Sequence, residues 1–167
     1  MRGMKYRNVN ISSVAALVLS LLAAAFFALG RAMFGVSGWF AFISVPAGLI
    51  VAVALVGLWF IPVRIVKEHP ESGPYKAFGW RESWAFIAVT VFLFLAGIFI
   101  VDSGDTEESV KSVFTQFVGR WALELSAALF WLCVLGVIAS YIAGVVVAVQ
   151  GRKSTANGET SVSGPAD

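Results

Sequence analysis

The feature that most constrains this chain is a long, nearly uncharged run, Trp121–Val149, near its carboxyl end. The run contains one charged residue, Glu124, close to its start. As a helix it would reach about 43 Å, which exceeds the ~30 Å hydrocarbon core of a bilayer. Because backbone polar groups in lipid must be satisfied within their own segment, the run predicts a membrane-spanning helix.

The composition of the whole chain favours the same class of protein. Hydrophobic residues make up 59% of the 167 residues, and the mean hydropathy is +0.85. Soluble domains contain roughly 45–50% apolar residues, and a chain of this size has too much surface to bury a larger share. The basic residues lie at the ends of apolar segments rather than in one patch, so we expect the bilayer as a partner and no nucleic acid.

Three further apolar segments have the length and composition of membrane helices. The predicted spans are 12–29, 39–60, 84–101 and 121–149. The expected fold class is therefore all-α, an integral membrane bundle of four transmembrane helices. The first span follows a basic start and also has the pattern of a cleaved secretory signal, an alternative that stays open.

A fifth helix is predicted on the outer surface, between the third and fourth spans. Asp105 and Glu108 have the spacing of a capping box, and the apolar residues that follow recur with helical period. This stripe consists of Val110, Val113, Phe114, Phe117, Val118 and Trp121. We expect an amphipathic surface helix at about 106–120, within a membrane domain of residues 1–153. The polar segment 154–167 is predicted to be a disordered cytoplasmic tail.

The distribution of lysine and arginine predicts the orientation in the membrane. Nine of these residues lie in the amino terminus, the 64–83 connection and the carboxyl terminus, and three lie in the other two connections. Because cytoplasmic loops carry the excess of Lys and Arg, both termini are expected in the cytoplasm. The predicted location is the cell (plasma or inner) membrane, crossed several times.

Small residues recur at every fourth position in several spans, which permits close approach of helices. The helix-packing positions expected on this basis are Ala16, Ser20 and Ala24, with Ser12 and Ala28, in the first span, and Gly136 and Gly144, with Ser140, in the fourth. A shorter series in the second span consists of Ser44, Gly48 and Ala52. Each face is expected to contact a neighbouring helix, in this chain or in a second one.

Four residues of the last span are candidates for a transport path or for helix contacts: Glu124, Ser126, Cys133 and Ser140. Carboxylates inside a membrane are costly and are often functional. An ion pair between Arg120 and Glu124, four residues apart, is an equally good explanation of the charge. Hydroxyl and thiol groups of membrane helices usually bond to their own backbone or to a neighbouring helix.

The sequence lacks the residues that most membrane enzymes use. No predicted span contains a histidine or a lysine, and no carboxylate cluster, Walker loop or nucleophile elbow occurs. We therefore expect no catalytic site, no metal and no cofactor. An enzyme acting through the cytoplasmic connection is a third hypothesis, and its candidate residues are Lys67, His69, Glu71 and Tyr75.

The leading functional hypothesis is a non-catalytic accessory or assembly subunit that packs against another membrane protein or against itself. It rests on the small-residue faces and on the nearly uncharged interior. The alternative is a small oligomeric transporter or channel for an ion or small solute that uses Glu124.

Overall fold

The computed structural model describes residues 12–36, 39–65, 80–102 and 110–159. These residues are almost entirely helical, and no strand occurs among them. The helices are α1 (Ser13–Ala25), α2 (Arg31–Met33), α3 (Trp39–Ile65), α4 (Trp80–Phe99), α5 (Val113–Val118) and α6 (Leu123–Glu159). The predicted all-helical class is confirmed.

Three helical segments are long and apolar enough to cross a membrane: Ser13–Met33, Phe42–Ile61 and Arg120–Gln150. Helix α4 contributes a shorter apolar segment, Ser83–Phe99. These apolar helices indicate a membrane protein.

The first helical segment is longer than the sequence predicts. A π-helical turn, Phe26–Gly30, joins α1 to α2, so Arg31 lies inside the helix rather than in the connection after it. The helix ends at Gly35, whose φ of +66° is readily adopted by glycine. The Gly35 and Val36 N–H groups donate to the carbonyls of Ala32 and Arg31, the hydrogen-bond pattern of a Schellman cap.

Helix α4 lies against both α1 and α6, and α3 lies against α1. One core cluster joins α1, α3 and α4 through Ala23, Ala24, Leu55, Val89 and Leu93. A second cluster, Ala16, Leu58 and Phe86, continues this packing toward the amino-terminal end of α1. The four long helices of the described part therefore share one apolar interior.

The predicted amphipathic helix at 106–120 is wrong in extent over its described residues, 110–120. The helix there is α5, which begins at Val113, because Ser112 caps it and Lys111 is held in an antiparallel bridge with Asp102. Ser112 and Thr115 are buried, whereas Phe117 of the predicted apolar stripe is 76% exposed. The proposed Asp105–Glu108 capping box lies outside the described residues.

The last helix also differs from its predicted bounds. Helix α6 continues past 149 to Glu159, through the first part of the segment predicted to be a disordered tail. Adding a residue to a long helix costs much less than starting a new one, which allows a polar sequence to continue the helix.

Candidate functional site: a buried polar cluster at one end of the helices

A buried ion pair joins the end of the first long helical segment to a residue that follows α4. Arg31 Nη1 lies 3.3 Å from Asp102 Oδ2, and each side chain is 2% exposed. Arg31 is carried by α2 at the end of the first long helical segment, and Asp102 follows the carboxyl end of α4. A buried charge requires a partner, since an unpaired one would cost several kcal/mol.

Helix α3 completes this cluster from the other side. Arg31 Nη2 donates to Ser44 Oγ at 2.7 Å, and that hydroxyl donates to the carbonyl of Ala28 at 3.2 Å. The main-chain N–H of Phe40, in the first turn of α3, donates to Asp102 Oδ1 at 3.0 Å. Phe40 N–H is one of the groups at a helix start that have no partner within the helix. The carboxylate of the ion pair thus also accepts a hydrogen bond from a main-chain N–H group at the start of α3.

A second buried cluster, of hydroxyl groups, joins α4, α5 and α6. Ser126 Oγ donates to the carbonyl of Phe99 at 2.8 Å and lies 2.8 Å from Ser112 Oγ. Ser112 in turn caps α5 by accepting from the N–H of Thr115 at 3.1 Å, and the Thr115 hydroxyl accepts from the Ser112 N–H. Because the carbonyls at the end of α4 lack partners within that helix, Ser126 satisfies one of them.

The two clusters lie at the same end of the helices. They involve the end of the first long segment, the start of α3, the end of α4 and the start of α6. Successive long helices therefore alternate in direction, and polar contacts connect all four at this end. We call the two clusters together the polar clamp.

The polar groups of the clamp are largely engaged with one another. The carboxylate of Asp102 already accepts from a guanidinium and from an N–H group, and the buried hydroxyls are engaged with one another and with carbonyls. Among the described residues, Arg31 Nε is the buried side-chain nitrogen that lacks a hydrogen-bond partner. No group of three His, Cys, Asp or Glu residues within the described ranges is arranged to hold a metal.

The four candidate residues of the last span have different environments. Glu124 is exposed in the first turn of α6, and no ion pair joins it to Arg120, although both residues are described. A 3-10 turn at Arg120–Ala122 precedes α6, so the two residues do not share one regular α-helical face. Ser126 belongs to the polar clamp, Cys133 is buried, and Ser140 is partly exposed.

The residues expected to pack helices together are mostly at contacts within this chain. Ala16, Ser20 and Ala24 are 3%, 0% and 2% exposed. A Cβ added to Gly136 would lie 2.7 Å from the ring of Phe92, and one added to Gly144 would lie 3.3 Å from Leu58. These small residues therefore permit close contacts with the other helices of the same chain.

Sequence reasoning did not identify the polar clamp. Arg31 and Asp102 are 71 positions apart, and both lie outside the spans predicted from the sequence. A usable signal was present, because the predicted topology places both charges, of opposite sign, on the same side of the membrane. The loop candidates Lys67, His69, Glu71 and Tyr75 lie outside the described residues.

Comparison with protein-family models, with curated proteins and with solved structures finds no match to this chain.

Proposed function

We propose that the chain crosses the membrane four times, with α4 as the third span. Its apolar segment Ser83–Phe99 is about 25 Å long as a helix, close to the thickness of the hydrocarbon core. Two observations support a span of this length. Helix α4 lies against both α1 and α6, and its carboxyl end contacts the polar clamp, as do the corresponding ends of the neighbouring helices. Alternating helices with four crossings put both termini on one side.

The Lys and Arg distribution supports the cytoplasm of the cell (plasma or inner) membrane as that side. In this orientation the polar clamp lies at the outer end of the helices. Charged groups are best tolerated near the ends of membrane helices, where water and headgroups lower their cost. An ion pair at this level stabilises the ends of the helices at a smaller cost than one at the bilayer midplane.

In this membrane we propose the role of a non-catalytic accessory or assembly subunit. The observation that carries this proposal is that the interior of the described helices is apolar. Below the polar clamp the described core is formed by apolar and small side chains, and the buried hydroxyl of Ser20 bonds to its own helix through the carbonyl of Ala16. A solute path through one chain needs a series of available polar groups, and this interior offers none among the described residues.

The surfaces available to a partner are the outward sides of α3 and α6. The small-residue faces are mostly occupied within the chain, whereas α3 and α6 both carry many large apolar side chains on their exposed surfaces. On α3 these are Trp39, Phe40, Phe42, Ile43, Val45, Leu49, Ile50, Val53, Val56 and Phe60, and on α6 they are Leu125, Trp131, Leu132, Leu135, Ile138, Ile142, Val146 and Val149. Such a surface suits lipid, and it also suits the apolar side of another membrane protein or of a second copy.

A transport function is the second candidate, and the residue that supports it is Glu124. Its carboxylate is exposed at the proposed outer end of α6, and no ion pair to Arg120 explains it. In a symmetric oligomer, several copies of this carboxylate would form a ring that attracts cations.

Isolation of the protein at its native expression level tests the subunit role. A mild detergent followed by native mass determination is expected to show a stoichiometric second membrane protein or a defined oligomer of this chain. A monomer without any partner contradicts the role. Glu124→Gln is the discriminating variant, because unchanged ion flux in proteoliposomes excludes the transporter and a loss of flux supports it.

A further inference from the structure

A groove between α4 and α6 lies at the opposite end of the helices from the polar clamp. One wall is a face of α4 and the other is a face of α6. On each helix the lining residues recur at intervals of three or four positions, so they lie on one side of it. The residues that shape it are Arg81, Trp84, Ala85, Ala88, Ser140 and Ala143. The groove is open at the side, toward the medium that surrounds the helices.

Most of the groove is apolar because three of these residues are alanine. Residues 85, 88 and 143 carry a single methyl group each, which leaves space between two helices that are otherwise in close contact. Farther along the same helices, the ring of Phe92 packs on Gly136 and fills the corresponding space. The groove therefore ends about 10 Å from Arg81, measured by the rise of α4.

The mouth of the groove, at the start of α4, carries a positive charge. Arg81 is exposed at the start of α4, and among the described residues the structure gives it neither an ion pair nor a side-chain hydrogen bond. Trp84 is 48% exposed one turn farther along the same face. Indole rings favour the headgroup level of a bilayer, so the mouth of the groove lies where lipid phosphates are found.

We propose that this groove binds an anionic phospholipid, with an acyl chain between α4 and α6 and the phosphate at Arg81. An apolar slot that is open to the side takes a lipid chain more readily than a water-soluble ligand. The guanidinium supplies the complementary charge and can donate two parallel hydrogen bonds to a phosphate. The inference rests on α4 and α6 both crossing the bilayer, and the Lys and Arg distribution assigns the site to the cytoplasmic leaflet.

Native mass spectrometry of the purified full chain tests this site. Phosphatidylglycerol and phosphatidylcholine with identical acyl chains are titrated against the protein in the same detergent. The protein is expected to retain phosphatidylglycerol preferentially. Arg81→Gln is expected to weaken that binding about fivefold, which corresponds to ~1 kcal/mol for one basic residue at a lipid surface.

Arg120→Gln is the matched control, since it removes the same charge at the opposite end of the helices. It is expected to leave lipid binding unchanged. Ala143→Leu places a larger side chain in the groove, at an exposed position where it can be accommodated. This variant is expected to weaken the binding of both lipids.

Three results would overturn the proposal. Equal losses for Arg81→Gln and Arg120→Gln would mean a general effect of charge, and unchanged binding in Ala143→Leu would mean that the acyl chain lies elsewhere. Displacement of phosphatidylglycerol by inorganic phosphate at millimolar concentration would mean that the groove adds nothing to the affinity. Because the measurement needs no protein partner, failure of the subunit role would leave this result intact.

Discussion

Removal of the negative charge of Asp102 is predicted to destabilise the protein strongly, because it breaks the buried ion pair with Arg31. Asp102→Asn retains Oδ1 as an acceptor for the Phe40 N–H group but places an amide N–H₂ opposite Arg31 Nη1. Arg31, which is 2% exposed, would then remain buried with Ser44 as its remaining side-chain acceptor.

The magnitude follows from the geometry of the pair. Two unit charges 3.3 Å apart interact with about 5 kcal/mol at an effective dielectric constant of about 20. Measured costs of breaking a buried pair by removing one partner are about 3–5 kcal/mol. We therefore expect the free energy of unfolding to fall by about 3–5 kcal/mol.

Titration with sodium dodecyl sulfate in mixed micelles, followed by the fluorescence of the six tryptophans, measures this change. Glu124→Gln is the matched control, because it makes the same acid-to-amide change at an exposed position at the same end of the helices. It is expected to cost less than ~1 kcal/mol, the contribution of an acid in the first turn of a helix.

The double variant Arg31→Met with Asp102→Leu completes the test. Because it removes both charges, it is expected to recover most of the stability that Asp102→Asn loses. The reasoning is refuted if Asp102→Asn costs less than 1 kcal/mol, or if it costs no more than Glu124→Gln.

Two further predictions concern packing and hydrogen bonding, and the same unfolding titration measures both. Gly48→Ala is expected to cost about 1–3 kcal/mol, because its new methyl group would lie 2.6 Å from Ala28 Cβ and 3.3 Å from the carbonyl oxygen of Ala24, atoms that cannot easily move. Ser126→Ala is expected to cost about 1 kcal/mol through the loss of its buried hydrogen bonds. Gly57→Ala and Ser140→Ala are the respective controls on the same helices.

These controls are expected to differ clearly from their partners. A Cβ at Gly57 has open space, so alanine there should be neutral or stabilise the helix by up to ~1 kcal/mol. Ser140 has no side-chain hydrogen bond with the described residues, so its replacement should change stability little. Equal effects of the two glycine substitutions, or of the two serine substitutions, would contradict the contacts described above.

The apolar helices were predictable because their signal is local. A run such as Trp121–Val149 has one way to satisfy its backbone in lipid, whatever its neighbours are. The small-residue positions Ala24 and Gly136 were likewise visible from their spacing, although the helix that each contacts was not.

The polar clamp could not be derived in the same way, because its contacts are between distant segments. The helical period of residues 110–121 suggested a surface helix, but it could not reveal that Ser126 lies opposite Ser112. Ser112 caps the helix, which therefore begins at Val113, and the buried residues of the helix are Val113 and Thr115. Arg31 was assigned to a connection because the Schellman cap at Gly35, four residues later, was not recognised.

The number of membrane crossings is the central claim, since the orientation of the polar clamp, the lipid groove and the partner surface all depend on it. Labelling of single cysteines with a membrane-impermeant maleimide tests it directly, in a Cys133→Ala background. With four crossings, Gln116→Cys is labelled on intact cells and Ser154→Cys only after permeabilisation. If α4 does not cross, the pattern reverses, and Ser154→Cys is labelled from outside while Gln116→Cys is protected.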